Sequence, residues 1–436
     1  MMGVAPRILF LTSSAFNKVT GGGITFSNLF AGWPRDAIAT VHNDPVPVST
    51  DVCEQYFRLT EREIHHWGWL RHVPLGKPPV SISAGAPSRQ RPSLSISLLK
   101  QVKTWVFGDA IPEVAHLTPE LEEWVEAFRP EVIYTILGSN AMMELADRLR
   151  SRFRLPLVIH VMDDWVSVLY KGGLLSPFQR RKKERLMQHL VDESAARLAI
   201  CDDMAEAYRV RYGKPFLSYQ NAIDVGRWAQ YAKTDLGVKH PVRVVYIGSV
   251  LPFAQLESLI DCCMAIQALD GEDFPIRLDI YSPAFLAEQY RQRLVVGSAI
   301  ALHDTITDDA TFFRTMQEAD ILLLPVNFDD YTIEYIRFSM PTKVPAYLAT
   351  GTPILAYGPA EVAQISYAAS AGWGMTVTRR DTDFLRQAVR RLASDMQLRR
   401  QLSARARDTA AERHDLQVVA SAFQTTLASA ARPQDA

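Results

Sequence analysis

No apolar run in this 436-residue chain approaches the roughly 18 residues that a membrane-crossing helix requires. The apolar stretch Arg7–Thr12 stops at Ser13-Ser14, too soon for the hydrophobic region of a secretory leader, and reads as a first buried strand. Cysteine is scarce: Cys53, Cys201, Cys262 and Cys263 have no metal-binding spacing, and side chains of the adjacent pair point apart on a helix. Thiols in a reducing cytoplasm are the expectation. Charge of either sign is not in surplus: 47 Lys and Arg against 48 Asp and Glu leave a formal charge of −1. No global field therefore argues for a nucleic-acid partner. The dinucleotide fingerprint Gly-x-Gly-x-x-Gly is missing after the first strand, and no repeat is visible beyond the likeness of two α/β halves.

What is present is a soluble-type composition, 48% hydrophobic and 22% charged, long enough for two domains. Short, nearly continuous apolar runs alternate with helical patterns, the signature of parallel strands buried on both faces. In the first half these are Ile8–Leu11, Ala37–Val41, Val132–Ile136, Leu157–Val161 and Arg197–Ile200. In the second they are Val242–Ile247, Ile276–Tyr281, Ile321–Pro325 and Pro353–Tyr357, with helices such as 141–153 and 256–269 between. Two doubly wound domains are expected, divided near residues 225–240. After Asp415, a helix cap, Leu416, Val419, Phe423 and Leu427 share one helical face. Residues 71–95, rich in Pro, Ser, Gly and Arg, are too long for a simple connection.

The segment 331–358 carries the most chemistry. Ser339 is placed to cap a helix whose first turn holds Pro341, Gly351 to end it, and Pro353 to prevent its resumption. Backbone amides at such a start attract phosphates, and Arg337 and Lys343 flank it. Glu334, just before, reads either as a ligand-hydroxyl contact and partner for Arg337 or as an exposed loop acid. Gly21-Gly22-Gly23 forms a glycine turn after the first strand, with a helix from Thr25, and lets the backbone approach a ligand. Val161-Met162-Asp163-Asp164-Trp165 sits at the carboxyl end of a strand, where ligands of open α/β sheets gather. Asp163 could stabilise developing positive charge or accept a proton; either aspartate could instead cap the next helix. His160 points to the same sheet face as Met162, as a catalytic candidate or a core residue. Gln179–Arg185 is a basic helical run. Arg180, Arg181, Lys182, Lys183 and Arg185 read either as a solvated face or as contact with an anionic membrane.

Taken in order, Gly21-Gly22-Gly23, Met162-Asp163-Asp164-Trp165, Asn221-Ala222-Ile223-Asp224, Tyr246-Ile247-Gly248-Ser249, and Pro341-Thr342-Lys343 with Tyr347-Leu348-Ala349 and Gly351-Thr352-Pro353 resemble the retaining glycosyltransferases of family four. The resemblance implies the GT-B fold: two doubly wound, Rossmann-like parallel-sheet domains facing an interdomain cleft. Residues 1–225 would form the acceptor-side domain, with 415–436 either crossing back to it or packing on the second domain. Residues 226–414 would bind the nucleotide-sugar. It implies sugar transfer with retention, without metal or cofactor, to a glycan, lipid-linked or small-molecule acceptor. The implied donor-binding residues are Gly22, Gly23, Gly248, Ser249, Glu334, Arg337, Ser339, Pro341, Thr342 and Lys343, and the catalytic candidates are Asp163 and His160. A cytoplasmic enzyme, peripheral on the inner membrane face, fits that picture. Three positions depart from the family pattern: Ala346 stands where a ribose-binding glutamate is usual, and Ser249 and Ala254 where diphosphate-binding cations are usual. A non-catalytic nucleotide-sugar or glycan-binding protein, or a nucleotide-sugar epimerase, are the alternatives.

Overall fold

The computed structural model describes residues 5–18, 20–66, 105–108 and 111–432; the 71–95 stretch lies outside them. The chain forms two compact units, Met1–Gln220 with Ala420–Ala436, and Asn221–Val419. Each is built on one parallel sheet.

In the first unit the sheet is seven-stranded, ordered β3-β2-β1-β6-β7-β8-β9. Its strands are β1 (Ile8–Thr12), β2 (Ile38–His42), β3 (Gln55–Arg58), β6 (Val132–Ile136), β7 (Leu157–Val161), β8 (Ala196–Ala199) and β9 (Leu217–Ser218). A separate antiparallel pair joins β4 (Ile64–His66) to β5 (Glu113–Ala115). Every residue of β1, β2, β6 and β7 is buried, which is why these strands read as unbroken apolar runs. The chain reverses its direction of sheet growth between β1 and β6, which pair directly. That junction is the topological switch point, where the loops leaving the two strands separate and open a crevice.

The second unit repeats the plan with six parallel strands, ordered β12-β11-β10-β13-β14-β15. They are β10 (Val242–Ile247), β11 (Ile276–Tyr281), β12 (Ile300–His303), β13 (Ile321–Pro325), β14 (Ile354–Tyr357) and β15 (Gly374–Val377). Its switch point lies between β10 and β13. All the apolar runs expected as strands form strands. Those absent from the reading are short or peripheral: β3, β9, β12 and β15 stand at sheet edges, and their residues are only partly buried. An edge strand lacks the two-sided apolar burial that makes central strands legible.

The last helix is Leu416–Ala430. Asp415 caps it as expected, accepting from the amides of Gln417 (3.0 Å) and Val418 (3.4 Å). Farther along, Phe423 meets the rings of Phe30, Tyr134 and Tyr219 at 5.2–5.6 Å between centroids. Gln424 donates to the carbonyls of Leu29 and Ala31. Burying one such phenylalanine ring contributes about 1.5–3 kcal/mol. Among the described residues no helix is long and apolar enough to cross a membrane. All four cysteines are buried and none is disulfide-bonded.

Candidate functional site: two switch-point crevices

In the second unit, β10 is followed by Gly248, whose φ of +147° belongs to a region that favours glycine. Its missing side chain is also a matter of space: a Cβ there would lie 3.0 Å from Lys343 Nζ and 3.3 Å from the Tyr246 hydroxyl. The Tyr246 hydroxyl donates to the Ser249 carbonyl at 2.6 Å, and the Ile247 amide donates to the Tyr347 hydroxyl at 3.1 Å. Lys343 Nζ lies 4.0 Å from the Tyr246 ring centroid and 5.8 Å from that of Tyr347, a cation held on aromatic faces. Burial pushes this amine down to about 7, because desolvation penalises the charged form. An arriving anion would reverse that penalty. Gly248, Ser249 and Lys343 are thus brought together although nearly a hundred residues separate them.

The helix following Lys343 departs from expectation. It spans Val344–Thr350 with Lys343 at its N-cap position, so Ser339 is not the cap. Pro341 lies in the preceding turn, closed by Val344 N to Pro341 O at 3.1 Å. The proline tolerated in the first helical turn is Pro345 rather than Pro341. Gly351 ends the helix with φ +64°, as anticipated. Asn221 fixes the turn, donating from Nδ2 to the Thr342 carbonyl at 2.9 Å. Ala346 is 5% exposed and packs in the core beneath this helix.

Upstream, Asp329 caps the helix Asp330–Ile336 through the Thr332 amide. Glu334 projects from that helix and Arg337 follows it; both are exposed. The Arg337 carbonyl accepts from the Ala363 amide at 2.7 Å, and its guanidinium lies 5.5 Å from the Phe338 ring centroid. Sequence reasoning passed over Asn327. It is fully buried just beyond β13, donates to the Pro252 carbonyl and accepts from the Ser258 amide. It ties the loop after β10 to the end of β13. A polar residue directly after a buried strand, at its carboxyl end, was the available signal. Tyr246 and Tyr347 stand in the sequence as motif members with no role of their own, because their hydroxyls give no pattern there.

In the first unit the glycines are not a loop. They form the first turn of the helix Gly21–Leu29, capped by Thr20, whose hydroxyl accepts from the Gly23 amide at 3.1 Å. The Thr20 cap overrides the helix-breaking tendency of three glycines. Gly23 is buried, and a Cβ there would fall 2.4 Å from the Asn17 side chain. Gly22 is half-buried beside Ser14. Thr12 Oγ1 donates to the Ser14 carbonyl and accepts its amide, fixing the turn after β1. Across the switch point, Ser139 caps the helix Asn140–Phe153.

Beyond β7, Asp163 is exposed and Asp164 buried. Asp164 occupies the N-cap position of the short helix Trp165–Val168 but makes no capping bond. It accepts from the Tyr208 hydroxyl at 2.6 Å and lies 3.8 Å from Arg211. His160 belongs to the core and leaves the set of catalytic candidates. It is fully buried, its Nδ1 pairs with the Tyr134 hydroxyl at 2.7 Å, and its ring lies 6.5 Å from that of Phe423. Burial pushes its imidazole down to about 3, so it stays neutral.

The basic run lies in the helix Ser176–Glu193 and divides. Arg180, Arg181 and Arg185 are exposed. Lys182 pairs with Glu144 at 2.5 Å. Lys183 is not on the surface: it is 1% exposed and donates to the carbonyls of Val166 and Leu169. A lysine four residues after Gln179 and four before Met187 falls on the inner face of that helix.

Among the described residues no group of His, Cys, Asp and Glu side chains has the arrangement to hold a metal. Comparison with known proteins agrees with the architecture. The family profile "Glycosyl transferase 4-like domain" matches residues 62–216. No curated protein sequence matches the chain. Solved structures match over nearly its whole length at low identity. The sucrose-phosphate synthase of Thermosynechococcus elongatus has TM-score 0.60 and 13% identity, over 96% of this chain and 98% of that one. Anabaena HepE, solved with UDP-glucose, has TM-score 0.59 and 12% identity, over 97% and 99%. WaaG, a glycosyltransferase involved in lipopolysaccharide biosynthesis, has TM-score 0.56 and 11% identity, over 96% and 99%. With its two parallel sheets of seven and six strands, the chain has the GT-B fold of these structures, and its residues 62–216 are similar to the glycosyl transferase 4-like domain.

Proposed function

We propose that this protein transfers a hexosyl group from a nucleoside diphosphate-sugar to a carbohydrate or lipid-linked acceptor, with retention and without a metal, in the assembly of a glycan. The observation that carries the reading is the β10/β13 crevice. There Gly248 removes a side chain, Lys343 brings one amine over the vacated space, and Ser249 and the Pro341–Lys343 turn border it. A diphosphate fits this chemistry, because a partly desolvated ammonium gains most from an ion that restores its charge. Lys343 takes over the neutralising role that Ser249 and Ala254 cannot fill. Arg337 and Glu334 serve the outer phosphate and a donor hydroxyl, with Ser339 in the loop between them. HepE, a structural relative, binds UDP and UDP-glucose, which supports a uridine or similar donor. In the first unit Asp163 is assigned the carboxylate role, at the carboxyl end of β7, and Gly22 and Gly23 the backbone approach to the phosphates. Cytoplasmic residence, peripheral on the inner membrane face, completes the reading.

Calorimetric titration with UDP, GDP, dTDP and ADP, followed by turnover assays with each matching sugar nucleotide, tests it. Micromolar binding of one nucleotide and acceptor-dependent release of it are expected. Ala346, in the ribose glutamate's place, favours one second reading, a binding protein that holds the nucleotide without turnover; binding with no release under any acceptor would select it. Arg337→Ala is expected to weaken the diphosphate about tenfold, the scale of one charge-assisted contact. Unchanged affinity removes Arg337 from the site.

A further inference from the structure

The two strands that flank the second unit's switch point each send out a loop, and both loops carry aromatic rings. Phe253 follows β10, and Tyr331 and Tyr335 follow β13 on the helix Asp330–Ile336. Their positions are fixed from beneath. Buried Asn327 donates from Nδ2 to the Pro252 carbonyl at 2.9 Å and from its amide to the Ala254 carbonyl at 2.8 Å, so the residues on either side of Phe253 are held. Asp329 anchors the helix twice, accepting from the Thr332 amide at 2.9 Å and from its hydroxyl at 2.7 Å, and Thr332 is fully buried. Phe253 and Tyr335 are half-buried against the core and meet edge to face, 5.5 Å between centroids. Tyr331 lies outside them. Its ring is parallel to that of Tyr335, with 7° between planes and 6.2 Å between centroids, and it is 65% exposed.

An acid row runs beside this aromatic row. Tyr331 and Tyr335 are four residues apart on the helix, and so are Asp330 and Glu334, which makes two neighbouring ridges of one surface. Asp329, Asp330 and Glu334 are all exposed. Glu334, at the inner end, is the residue given above to a donor hydroxyl. Tyr331 and Asp330, at the outer end, have no part in that reading. An aromatic ring beside a carboxylate suits a neutral pyranose. One face of such a sugar presents C–H groups, whose slight positive charge meets the negative face of an aromatic ring. Its edge presents hydroxyls, which donate to carboxylate oxygens.

We infer that Tyr331 and Asp330 hold a neutral pyranose residue of the acceptor glycan, with the sugar's C–H face on the Tyr331 ring and a hydroxyl on the Asp330 carboxylate. The word acceptor rests on the transfer reading; the saccharide site itself does not. Three observations choose this occupant. The exposed ring is a single one, far short of the roughly 800 Å² that a stable protein partner covers. The acids beside it repel phosphorylated or uronic ligands. The surface is continuous with the β10/β13 crevice through Phe253 and Glu334, so what binds here lies next to the donor. The unit proposed to hold the nucleotide thus gains a glycan contact of its own.

The test is saturation-transfer NMR on the full-length protein with the neutral trisaccharides maltotriose, cellotriose, mannotriose and chitotriose, and with trigalacturonic acid as their anionic counterpart. At least one neutral trisaccharide is expected to bind in the millimolar range, with saturation strongest on the ring protons of one pyranose face. Tyr331→Ala is expected to weaken it about tenfold, Tyr331→Phe to retain it within about twofold, and Asp330→Asn to weaken it less than Tyr331→Ala does. The anionic probe is expected to bind at least about tenfold more weakly than the best neutral one. Circular dichroism and nucleotide titration should be unchanged in all three variants. No saturation from any neutral probe overturns the proposal, as does equal binding by Tyr331→Ala or of the anionic probe. A fall in nucleotide affinity with Tyr331→Ala also overturns it, because the ring would then hold the donor's base. If saccharide binding fails while acceptor-dependent release of nucleotide persists, this inference falls alone. If saccharide binding stands and no nucleotide is bound, the transfer reading falls alone.

Discussion

At the β10/β13 crevice a single amine lies on two tyrosine rings, over a glycine whose φ of +147° and close neighbours make any larger residue strained. The topologically equivalent β1/β6 crevice has instead a set of hydroxyls, Thr12, Ser14, Thr20 and Ser139, each already committed to a turn or a helix cap. Past the neighbouring strand stands a carboxylate, Asp163. Two copies of one fold plan thus carry different chemistry at and beside their switch points. The second unit offers a positive, desolvated group suited to a leaving diphosphate; the first offers acceptors of hydrogen bonds and a negative group suited to a hydroxyl nucleophile. Fold repetition supplies the crevices, and the residues on the loops decide what each can hold.

The strongest way to break that comparison is to remove the carboxylate. Asp163→Asn is expected to lower kcat by about 10²–10⁴, the range for a positioned acid–base group, while leaving nucleotide affinity in the second unit unchanged. Loss of nucleotide affinity alongside kcat would show that the two chemistries are not divided between the units.

Next in size is a pair of glycine variants. Gly248→Val must accommodate φ +147° and a Cβ 3.0 Å from Lys343 Nζ. Strain of this kind costs about 1–3 kcal/mol of stability; because the added side chain also displaces the Lys343 amine and fills the space proposed for the ligand, diphosphate affinity is expected to fall about 10–100-fold. Gly22→Ala meets the Ser14 side chain at 3.2 Å and the edge of the Phe26 ring at 3.4 Å, with no positive φ. Because alanine favours a helix over glycine by up to about 1 kcal/mol, the protein should be as stable as wild type, with an affinity loss under about tenfold. Calorimetry on both variants separates the crevices; equal losses would place the phosphates against both.

A smaller effect sharpens the role of Lys343. Burial pushes its free amine down to about 7. A bound diphosphate raises that value, so binding takes up a proton above pH 7, and affinity falls as pH rises from about 7 to 9. Lys343→Met is expected to bind about tenfold more weakly at neutral pH and to lose the slope. A slope that survives the substitution assigns it to another group.

Much of this arrangement was legible beforehand, and for one reason. Central parallel strands are buried on both faces, so runs such as Ile8–Leu11 and Ile321–Pro325 stood out, and the loops at their carboxyl ends marked where ligands gather. Gly248, Ser249 and Lys343 were found as separate motifs, but their convergence depends on strand order, which no local pattern encodes. Helix starts were misplaced for local reasons. Ser339 and Pro341 had the right residue types, yet Pro345 competes for the same first-turn position, and Thr20 caps a glycine run that propensity alone would leave as loop. Lys183 was misjudged because side-chain type suggested exposure, and of the two readings open for His160 the burial favours the core one. Helical phase in one case and strand burial in the other put them inside.

His160 gives the subtlest test, because it separates a residue that lines chemistry from one that supports it. Its folded pKa, about 3, lies below the unfolded value of about 6.5. Between those values the unfolded chain binds more protons, so the stability His160 permits is complete above about pH 6.5 and lost as pH falls toward 3. The slope is at most about 1.4 kcal/mol per pH unit. His160→Phe keeps the ring contact with Phe423 but leaves the Tyr134 hydroxyl without its partner, at a cost of about 1–3 kcal/mol near neutrality. The variant is therefore expected to be less stable at pH 7, and its deficit should shrink or reverse as the solution is acidified, in denaturant unfolding followed by circular dichroism. The pH profile of kcat should not change, since the imidazole is neutral throughout the working range. If the substitution instead removes the acidic limb of that profile, His160 titrates where substrate is bound, and the first unit holds a base as well as a carboxylate.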